Sequence, residues 1–579
     1  MIRHLAIACV PVALIGLASC GGGNHASADG GLGGDGTVGT GDEDGGAGSS
    51  GGSSSSGGSS GGTSSGAARS SGAGADGSSS SSSGAAADAG AYDPSVYQHH
   101  KNGTRNGLYI DPLLTTGTTG NALTMHILKG FMGTVTTNVY AQPLYVEKGV
   151  GGAQTIIVAT ESNHVTAYNA MTGATLWDQG PTTYAPQSTG GLPCGDINPL
   201  GITGTPFIDP ASPINNGQGV IYFDAMTTPD QNKTFKHQVY AVKLSDGTVL
   251  PNWPVDVSAK VQGFTSGWQN QRGALQLVNG ILYVPYGGLD GDCPYTTPTY
   301  YGWVIGFPVA TPQTPKGWHT AAYKGGIWGP GSLPTDGTSV FPVTGNTNGT
   351  NGTWGGGEAV IRLASGPTFS GNTADYYAPT DWETMDANDQ DLGGASEVLI
   401  DLPGTSTPHL VVAGGKDSNL YILNRDNLGG IGAQLFSQTL ASNQFKGAPA
   451  AYTTAKGTYV AFHIEGGTGT GCSGATGGNL VSYKITGGTG KPTASVAWCS
   501  ADSNLASPMV TTIDGTNDAI VWDANQNLWG YDGDTGVKIF TDNNTAMGTA
   551  IQGWNTPIAI GGGRIVVAVN GQVYLFSAP

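Results

Sequence analysis

The chain has 579 residues, of which only 11% are charged and 98 are glycine, and its formal net charge is -18. This balance argues against a nucleic-acid-binding protein, which needs basic patches, and against direct adhesion to anionic lipid. It is typical of an exported surface protein.

Residues 1–20 have the pattern of an export signal. Arg3 precedes an apolar run from Leu5 to Leu17, which is too short to span a bilayer. The sequence Leu17-Ala-Ser-Cys20 resembles a bacterial lipobox and predicts a lipoprotein signal peptide with Cys20 as the lipidated residue. The alternative is an ordinary signal peptide with an incidental cysteine. We expect the chain to be exported and anchored to the bacterial membrane, at the outer membrane or the cell surface.

Residues 21–91 consist almost entirely of Gly, Ser and Ala. Such a composition cannot bury enough apolar surface to offset the entropy of ordering. The sequence therefore predicts a disordered, low-complexity linker that holds a folded domain away from a membrane.

The stretch VTAYNAMTGATLW (165–177) predicts two strands joined by a tight turn that ends at Gly173, a position that requires a positive φ. The pattern recurs along the rest of the chain. The copies are VYAVKLSDGTVLPNW (239–253), WVIGFPVATPQTPKGW (303–318), AVIRLASGP (359–367), LYILNRDNLGG (420–430), LVSYKITGGTGKPTASVAW (480–498), LWGYDGDTGVKIF (528–540) and QVYLFSAP (572–579).

Each copy follows a β-rich pair that begins at small residues or proline. The spacing suits four short strands per unit, and no window shows a convincing helical period. We therefore predict an all-β fold, an eight-bladed β-propeller, because radial blades bury both faces of each sheet. The eight starts are Gln142-Pro143, Thr205-Pro206, Gly273-Ala274, Gly331-Ser332, Gly394-Ala395, Ala448-Pro449, Ser507-Pro508 and Thr556-Pro557.

The last unit ends after QVYLFSAP without an outer strand. Residues within about 107–133 are predicted to supply it, which would close the ring. The predicted organisation is therefore an N-terminal closing segment over 92–137 and a propeller over 138–579.

The turns YNAMTG, LSDG and YDGDTG resemble those of the quinoprotein-type propellers, the pyrroloquinoline-quinone (PQQ)-like superfamily. The resemblance covers about 138–579. Longer stretches such as CGDINPLGITGTPFID and DANDQDLGGASEVLIDLP are similar to a branch of secreted bacterial lipoproteins with this repeat. The resemblance implies a fold like that of quinoprotein alcohol dehydrogenases. The superfamily contains both quinone-dependent dehydrogenases and a non-catalytic lipoprotein of the outer-membrane barrel-assembly machinery, so the fold does not settle the function.

For an alcohol dehydrogenase, the resemblance implies adjacent cysteines against PQQ, a tryptophan beneath it, and a Glu/Asn/Asp set that holds calcium. The sequence has no adjacent cysteines and no Cys-x-x-Cys-His haem motif. A sugar dehydrogenase could instead use histidine and arginine, but the histidines fall in different units without a visible pairing. We therefore predict no catalytic or cofactor-binding residue. The histidines considered are His164, His237, His319, His409 and His463.

Four cysteines lie beyond the signal region. In an exported protein they predict disulfides, for which three pairings exist. Proximity along the ring favours Cys472 with Cys499 and Cys194 with Cys293. A four-cysteine zinc site is the alternative, although no Cys-x-x-Cys pair supports it.

The acidic stretch that contains Asp386, Asn388, Asp389 and Asp391 is the metal candidate. Oxygen ligands at alternating positions before glycines are typical of calcium loops. The alternative is a solvated acidic loop.

Two hypotheses and an outsider follow for the function. The first is a lipid-anchored, monomeric, non-catalytic scaffold that binds an envelope protein or polysaccharide. The second is a PQQ-dependent dehydrogenase of alcohols or sugars, with PQQ and calcium as cofactors. The outsider is a glycan-binding propeller whose rim carries the tryptophans of units three to five. Those tryptophans are Trp268, Trp303, Trp318, Trp328, Trp354 and Trp382.

Overall fold

A computed structural model describes residues 92–117, 133–186, 197–289, 300–503, 505–541 and 547–578, and the backbone of His126–Ile127. These residues form a propeller of eight blades around a central channel, which confirms the predicted fold. Among them, no helix is both long and apolar enough to cross a bilayer. Cys20 and the linker 21–91 lie outside the described residues.

Most blades are four-stranded antiparallel meanders whose first strand lines the channel. Blade 1 contains Leu144–Val146, Thr155–Ala159, Val165–Asn169 and Thr175–Gln179; blade 2 contains Phe207–Ser212, Gln218–Thr227, Lys236–Lys243 and Val255–Asp256. Blade 3 contains Gln269–Asn270 with Gln276–Val278, then Ile281–Gly288, Trp303–Pro308 and Lys316–His319. Blade 5 contains Val398–Asp401, His409–Gly414, Asn419–Asn424 and Phe436–Thr439; blade 6 contains Phe445–Thr454, Gly457–Ile464, Leu480–Thr486 and Thr493–Cys499. Blade 7 contains Met509–Thr512, Ile520–Ala524, Leu528–Asp532 and Lys538–Thr541.

Blade 4 is irregular. Single bridges join Val340 to Leu363 and Val343 to Val360, which places an inner strand beside the short strands. A two-stranded ribbon extends from this part of the ring. The short strands are Val360–Ile361, Tyr376–Ala378 and Gly430–Ile431, and the ribbon pairs Tyr323–Lys324 with Thr347–Asn348.

Blade 8 closes the ring, and it is built from strands of two distant parts of the chain. Ile558–Ala559, Arg564–Val569 and Gln572–Ser577 come from the C-terminal end. The outer edge of Gln572–Ser577 pairs antiparallel with His126–Ile127 and Gly133–Thr134. The predicted closing strand is thus present near the end of the range 107–133. The beginning of that range lies elsewhere, because Leu108–Ile110 pairs in parallel with the inner strand of blade 7.

The repeated turns join neighbouring blades as well as the strands within one blade. Gly247 and Gly536 both have φ +71°, and an indole from the preceding blade packs directly on each. Trp177 Nε1 donates to Leu244 O at 3.0 Å, and Trp498 Nε1 donates to Gly533 O at 2.8 Å. A side chain at either glycine would collide with the indole, so the turn glycine serves both the backbone conformation and the blade contact.

Helices are short and lie in the connections. Among the described residues, the α-helices are Pro181–Tyr184, Val257–Lys260 and Trp382–Ala387, and the 3-10 helices are Val150–Gly152, Pro213–Asn215, Ser266–Trp268, Thr373–Asp375, Leu392–Gly394 and Gly474–Thr476.

Candidate functional site

A closed ring of hydrogen bonds, here called the collar, joins all eight blades where their inner strands begin. These are the small-residue and proline starts that the sequence marked. Short side chains allow the starts to approach one another. The hydroxyls of Thr205, Ser396 and Ser507 accept hydrogen bonds from backbone N–H groups of the neighbouring start, and the Asn555 side chain donates one. The collar bonds are Gln142 N to Thr205 Oγ1 (3.0 Å), Leu275 N to Thr205 O (3.1 Å), Ala274 N to Pro330 O (2.9 Å), Gly331 N to Ser396 Oγ (2.7 Å), Ser396 N to Gly447 O (2.8 Å), Ala448 N to Ser507 Oγ (2.9 Å), Ser507 N to Asn555 O (2.9 Å) and Asn555 Nδ2 to Val139 O (3.1 Å).

The channel is filled from one side by residues 95–111, here called the channel segment. Val96 pairs with Tyr145 in blade 1, and Asp111 receives two hydrogen bonds from Gly563 N in blade 8. Between these contacts the chain rises to the collar, where His100 N donates to Gln142 Oε1 at 2.9 Å. The position of residues 95–111 inside the channel was not predicted from the sequence.

Arg105 lies at the centre of the channel segment and is 1% exposed. Its guanidinium donates to the carbonyl oxygens of Gly331 and Leu275 at 3.0 and 2.8 Å. Burial raises the pKa of Glu397 to about 8, and the positive charge of Arg105 opposes that shift. The segment therefore brings a fixed positive charge into the axis of the ring.

Beyond the collar, the opposite end of the channel is crossed by an arginine–tryptophan pair. The Arg272 guanidinium carbon, just before the inner strand of blade 3, lies 4.7 Å from the centre of the Trp554 ring, just before that of blade 8. Tyr140 packs beside Trp554 with ring centres 5.5 Å apart. We call this end, carrying Arg272, Trp554 and Tyr140, the channel mouth. A cation held over an indole is a favourable contact, strengthened where water is excluded.

Buried oxygen atoms lie next to Arg272. Glu161 Oε2 accepts from Gly201 N at 2.7 Å, while its Oε1 has no hydrogen-bond partner among the described residues. Burial raises the pKa of Glu161 to about 7, and the Gly201 N–H and the Arg272 charge oppose the shift. Buried oxygens of this kind normally bind water or a ligand.

Two lysines surround a second tryptophan, before the inner strand of blade 4. The Nζ atoms of Lys416 and Lys446 lie 5.4 and 5.1 Å from the centre of the Trp328 ring. Lys416 also binds Asp391, and Lys446 Nζ lies 3.4 Å from Glu465. This side of the ring therefore presents an aromatic face with balanced charges.

The acidic loop is bound by protein donors. Asp386 accepts from the backbone and hydroxyl of Thr347 at 2.6 and 2.7 Å, and Asp389 lies 3.2 Å from Lys416 Nζ. Asn388 is exposed and donates to its own helix. Within the described ranges, no three His, Cys, Asp or Glu side chains are grouped so as to hold a metal ion. The calcium site over Asp386, Asn388, Asp389 and Asp391 and its acidic-loop alternative therefore both stay predictions.

Cys472 and Cys499 form a disulfide that joins a loop of blade 6 to its outer strand. This is one of the two predicted pairs. Cys194 and Cys293 lie outside the described residues, so their pairing stays a prediction.

The five histidines considered in the sequence do not meet at one site. His237 is buried, with Nδ1 2.6 Å from Asp224 Oδ1 and Nε2 2.9 Å from the Gln269 carbonyl oxygen, and Tyr286 donates to the other Asp224 oxygen. Burial acts to lower the pKa of His237, but the Asp224 carboxylate outweighs it, so the pKa lies above the ordinary value. The remaining histidines have separate partners: His164 binds Asp178, His319 binds the Thr320 carbonyl, His409 binds Asp426, and His463 binds Asn479.

The tryptophans of units three to five do not form one exposed rim. Trp303 and Trp382 are buried, whereas Trp268, Trp318, Trp328 and Trp354 are half-buried. Trp354 stacks on Tyr376 with ring centres 4.1 Å apart, and both cover an apolar cluster between blades 3 and 4. Blade packing accounts for most of these side chains.

Comparison with known proteins supports the fold. No family model and no curated protein matches the chain. The quinohemoprotein alcohol dehydrogenase ADHIIG from Pseudomonas putida HK5 has a similar structure, with 13% identity, a TM-score of 0.56, and coverage of 84% of this chain and 80% of its own. A europium-containing methanol dehydrogenase shares 15% identity (TM-score 0.49; 83% and 91% covered), and BamB from Moraxella catarrhalis shares 14% (TM-score 0.43; 77% and 97% covered). The chain thus has an eight-bladed β-propeller fold similar to that of the quinohemoprotein alcohol dehydrogenase.

Proposed function

We propose that this protein is an exported, lipid-anchored propeller that acts as a non-catalytic binding module of the bacterial cell envelope. The observation that carries the proposal is the Arg272–Trp554 pair, which places a cation and an aromatic face across the channel mouth. Its ligand is an envelope polysaccharide or a polar protein surface that docks there.

The chemistry of the mouth suits such a ligand. Trp554 and Tyr140 are half-buried and offer faces against which a sugar ring or an aliphatic chain can pack. The channel segment closes the opposite side, so a ligand at the mouth meets a floor instead of an open pore.

A quinone-dependent dehydrogenase is the second candidate, because the same pair suits a planar anion. PQQ is flat and carries carboxylates, which Arg272 could bind while Trp554 stacks on the ring system. The calcium that the resemblance implies is not matched, because the described carboxylates form no metal-ligand cluster and Asp391 is bound to Lys416. The residues thus fit the quinone but not its metal, and we derive no redox step.

One experiment separates the candidates. The purified mature protein is titrated with PQQ, with and without calcium, and dye reduction is followed with alcohols and sugars. In parallel, sedimentation assays measure binding to purified peptidoglycan sacculi and lipopolysaccharide, and a pull-down with purified envelope proteins covers a protein ligand. The binding-module proposal expects no substrate-dependent dye reduction and retention of at least one envelope component.

The matched variants are Trp554→Ala at the mouth and Trp318→Ala on the outer part of blade 3. Both remove a half-buried indole, but only Trp554 contacts Arg272. We expect Trp554→Ala to weaken retention at least about tenfold and Trp318→Ala to leave it unchanged, in line with the loss of one aromatic anchor. Substrate-dependent dye reduction that Trp554→Ala abolishes would replace the proposal with the dehydrogenase.

A further inference from the structure

The channel segment contacts the ring as a bound peptide contacts its receptor. Inner strands of a propeller have one edge that faces the channel, and the backbone N–H groups of that edge need acceptors. Carbonyl oxygens of the segment accept bonds from six blades. These bonds are Tyr145 N to Val96 O (3.0 Å), Ile208 N to Tyr97 O (2.8 Å), Thr335 N to Gly103 O (2.7 Å), Leu399 N to Thr104 O (3.1 Å), Ala451 N to Asn106 O (2.7 Å) and Val510 N to Gly107 O (2.9 Å).

The two remaining blades, 3 and 8, are contacted by side chains. Arg105 donates to the Leu275 carbonyl of blade 3 and to Gly331 of blade 4, and Asp111 accepts from Gly563 N of blade 8. Main-chain bonds supply affinity that is independent of sequence, and side chains in fixed positions supply specificity, as in strand-addition complexes. Arg105 and Asp111 are therefore the residues by which the ring distinguishes this segment from another.

Both ends of the segment lie at the same opening. The Ile110 N–H donates to the Tyr92 hydroxyl at 3.1 Å. A Cβ built on Gly561 would lie 2.8 Å from Pro94, while Gly563 of the same hairpin binds Asp111. The segment is thus a loop inserted from one face, and it can leave the ring without being threaded through it. A groove of about 1020 Å³ lies at this opening, along residues 92–97 and 110–112 and blades 1, 2 and 8.

The interior of the loop is polar. His99 and His100 stack with ring centres 4.3 Å apart and are fully buried. Neither nitrogen of His99, nor Glu397 Oε1, has a hydrogen-bond partner in the described parts of the chain. Unpartnered buried groups weaken an association. Val96 and Tyr109 of the segment are fully buried against the apolar core, so the interface between segment and ring combines apolar contacts with unpartnered polar groups, as binding interfaces do.

We infer that the propeller is a receptor for its own channel segment, and that the segment is an exchangeable ligand. The partner that fits the ring is the same stretch of a second copy, because it presents Arg105 and Asp111 with the spacing that the ring binds. This inference concerns the face opposite the mouth and does not depend on the proposed function.

The test uses the full chain with a protease site inserted within 118–125, so that the segment is released from its covalent link only after folding. The closing strands His126–Ile127 and Gly133–Thr134 stay with the ring. A fluorescein-labelled synthetic peptide of residues 92–112 is then added, and its capture by the cleaved and the uncleaved ring is followed by fluorescence anisotropy.

Two variant peptides provide the comparison. Arg105→Ala removes the bonds to Leu275 and Gly331 of the ring. Lys101→Ala removes an equal charge, whose contacts with the Asp93 and Ser95 carbonyls and with the Tyr92 ring at 5.2 Å lie within the peptide 92–112. We expect the cleaved ring, and not the uncleaved ring, to capture the native and Lys101→Ala peptides. The Arg105→Ala peptide should bind the cleaved ring with an affinity at least about 100-fold lower, because hydrogen bonds from a charged donor are strong.

Three outcomes would overturn the inference. The first is no capture by the cleaved ring while the native fragment stays bound. The second is equal binding of the Arg105→Ala peptide. The third is loss of the fragment with unfolding of the ring, which would make the segment an integral part of the fold.

Discussion

Replacing Gly536 by alanine tests how the blades are joined. Gly536 has φ +71°, and a Cβ there would lie 2.7 Å from the indole of Trp498. That indole cannot easily move, because its Nε1 donates to Gly533 O at 2.8 Å. Gly280 is the matched control, since its φ is +74° and a Cβ there would meet nothing within 4 Å. Both changes impose the same backbone strain, and only Gly536→Ala adds a collision.

The expected magnitudes follow from these two contributions. A left-handed conformation costs a residue with a Cβ about 1–2 kcal/mol, and overpacking a rigid contact costs about 1–3 kcal/mol more. We therefore expect Gly280→Ala to lower the free energy of unfolding by about 1 kcal/mol and Gly536→Ala by about 3 kcal/mol. Urea unfolding, followed by far-ultraviolet circular dichroism, measures both. Equal losses within about 0.5 kcal/mol would show that the Trp498 contact does not join blades 6 and 7.

Four further predictions follow from the sequence and the fold. The double variant Cys472→Ser, Cys499→Ser should lower the free energy of unfolding by about 3 kcal/mol, because the disulfide closes a loop with a sequence separation of 27. Urea unfolding of the oxidised parent and the oxidised double variant measures the difference, and equal stability would contradict it. The pKa of His237 is raised in the folded protein. Protonation of His237 should therefore stabilise the fold fully below about pH 6.5, and this stabilisation should be lost as the pH rises through the higher folded pKa. The difference in free energy of unfolding between the parent and His237→Gln, measured from pH 6 to 9, should shrink as the pH rises. Cys20→Ala should release the protein from the membrane fraction, and partitioning like the parent would refute the lipid anchor. Deletion of residues 21–91 should leave the melting temperature unchanged, whereas a large fall would show that the linker packs on the propeller.

Several features of the fold could be predicted from the sequence because they depend on local interactions. The turn from Asn169 to Gly173 is such a feature, since Asn169 Oδ1 binds the next backbone N–H groups and Gly173 adopts a positive φ. Repetition of that unit gave the number of blades, and the closing strand predicted within about 107–133 is confirmed by the pairing of His126–Ile127 and Gly133–Thr134 with Gln572–Ser577. The disulfide between Cys472 and Cys499 could be predicted as well, because both cysteines belong to one repeat unit.

The candidate site could be predicted much less well, because its contacts join residues far apart in the chain. Arg105 binds carbonyl oxygens 170 and 226 positions away, and the partners are backbone atoms that carry no residue-specific signal. Arg272 and Trp554 lie just before the inner strands of blades 3 and 8. The two residues meet only when the ring is closed.

The sequence by itself determined the repeat, the blade count and the need for a closing strand, since each follows from short-range turn chemistry and strand periodicity. The tertiary structure decided what fills the channel and what lies at its mouth. The physical reason is that a ring brings the starts of eight distant strands to one axis, where side chains and backbone groups acquire partners that no local pattern encodes.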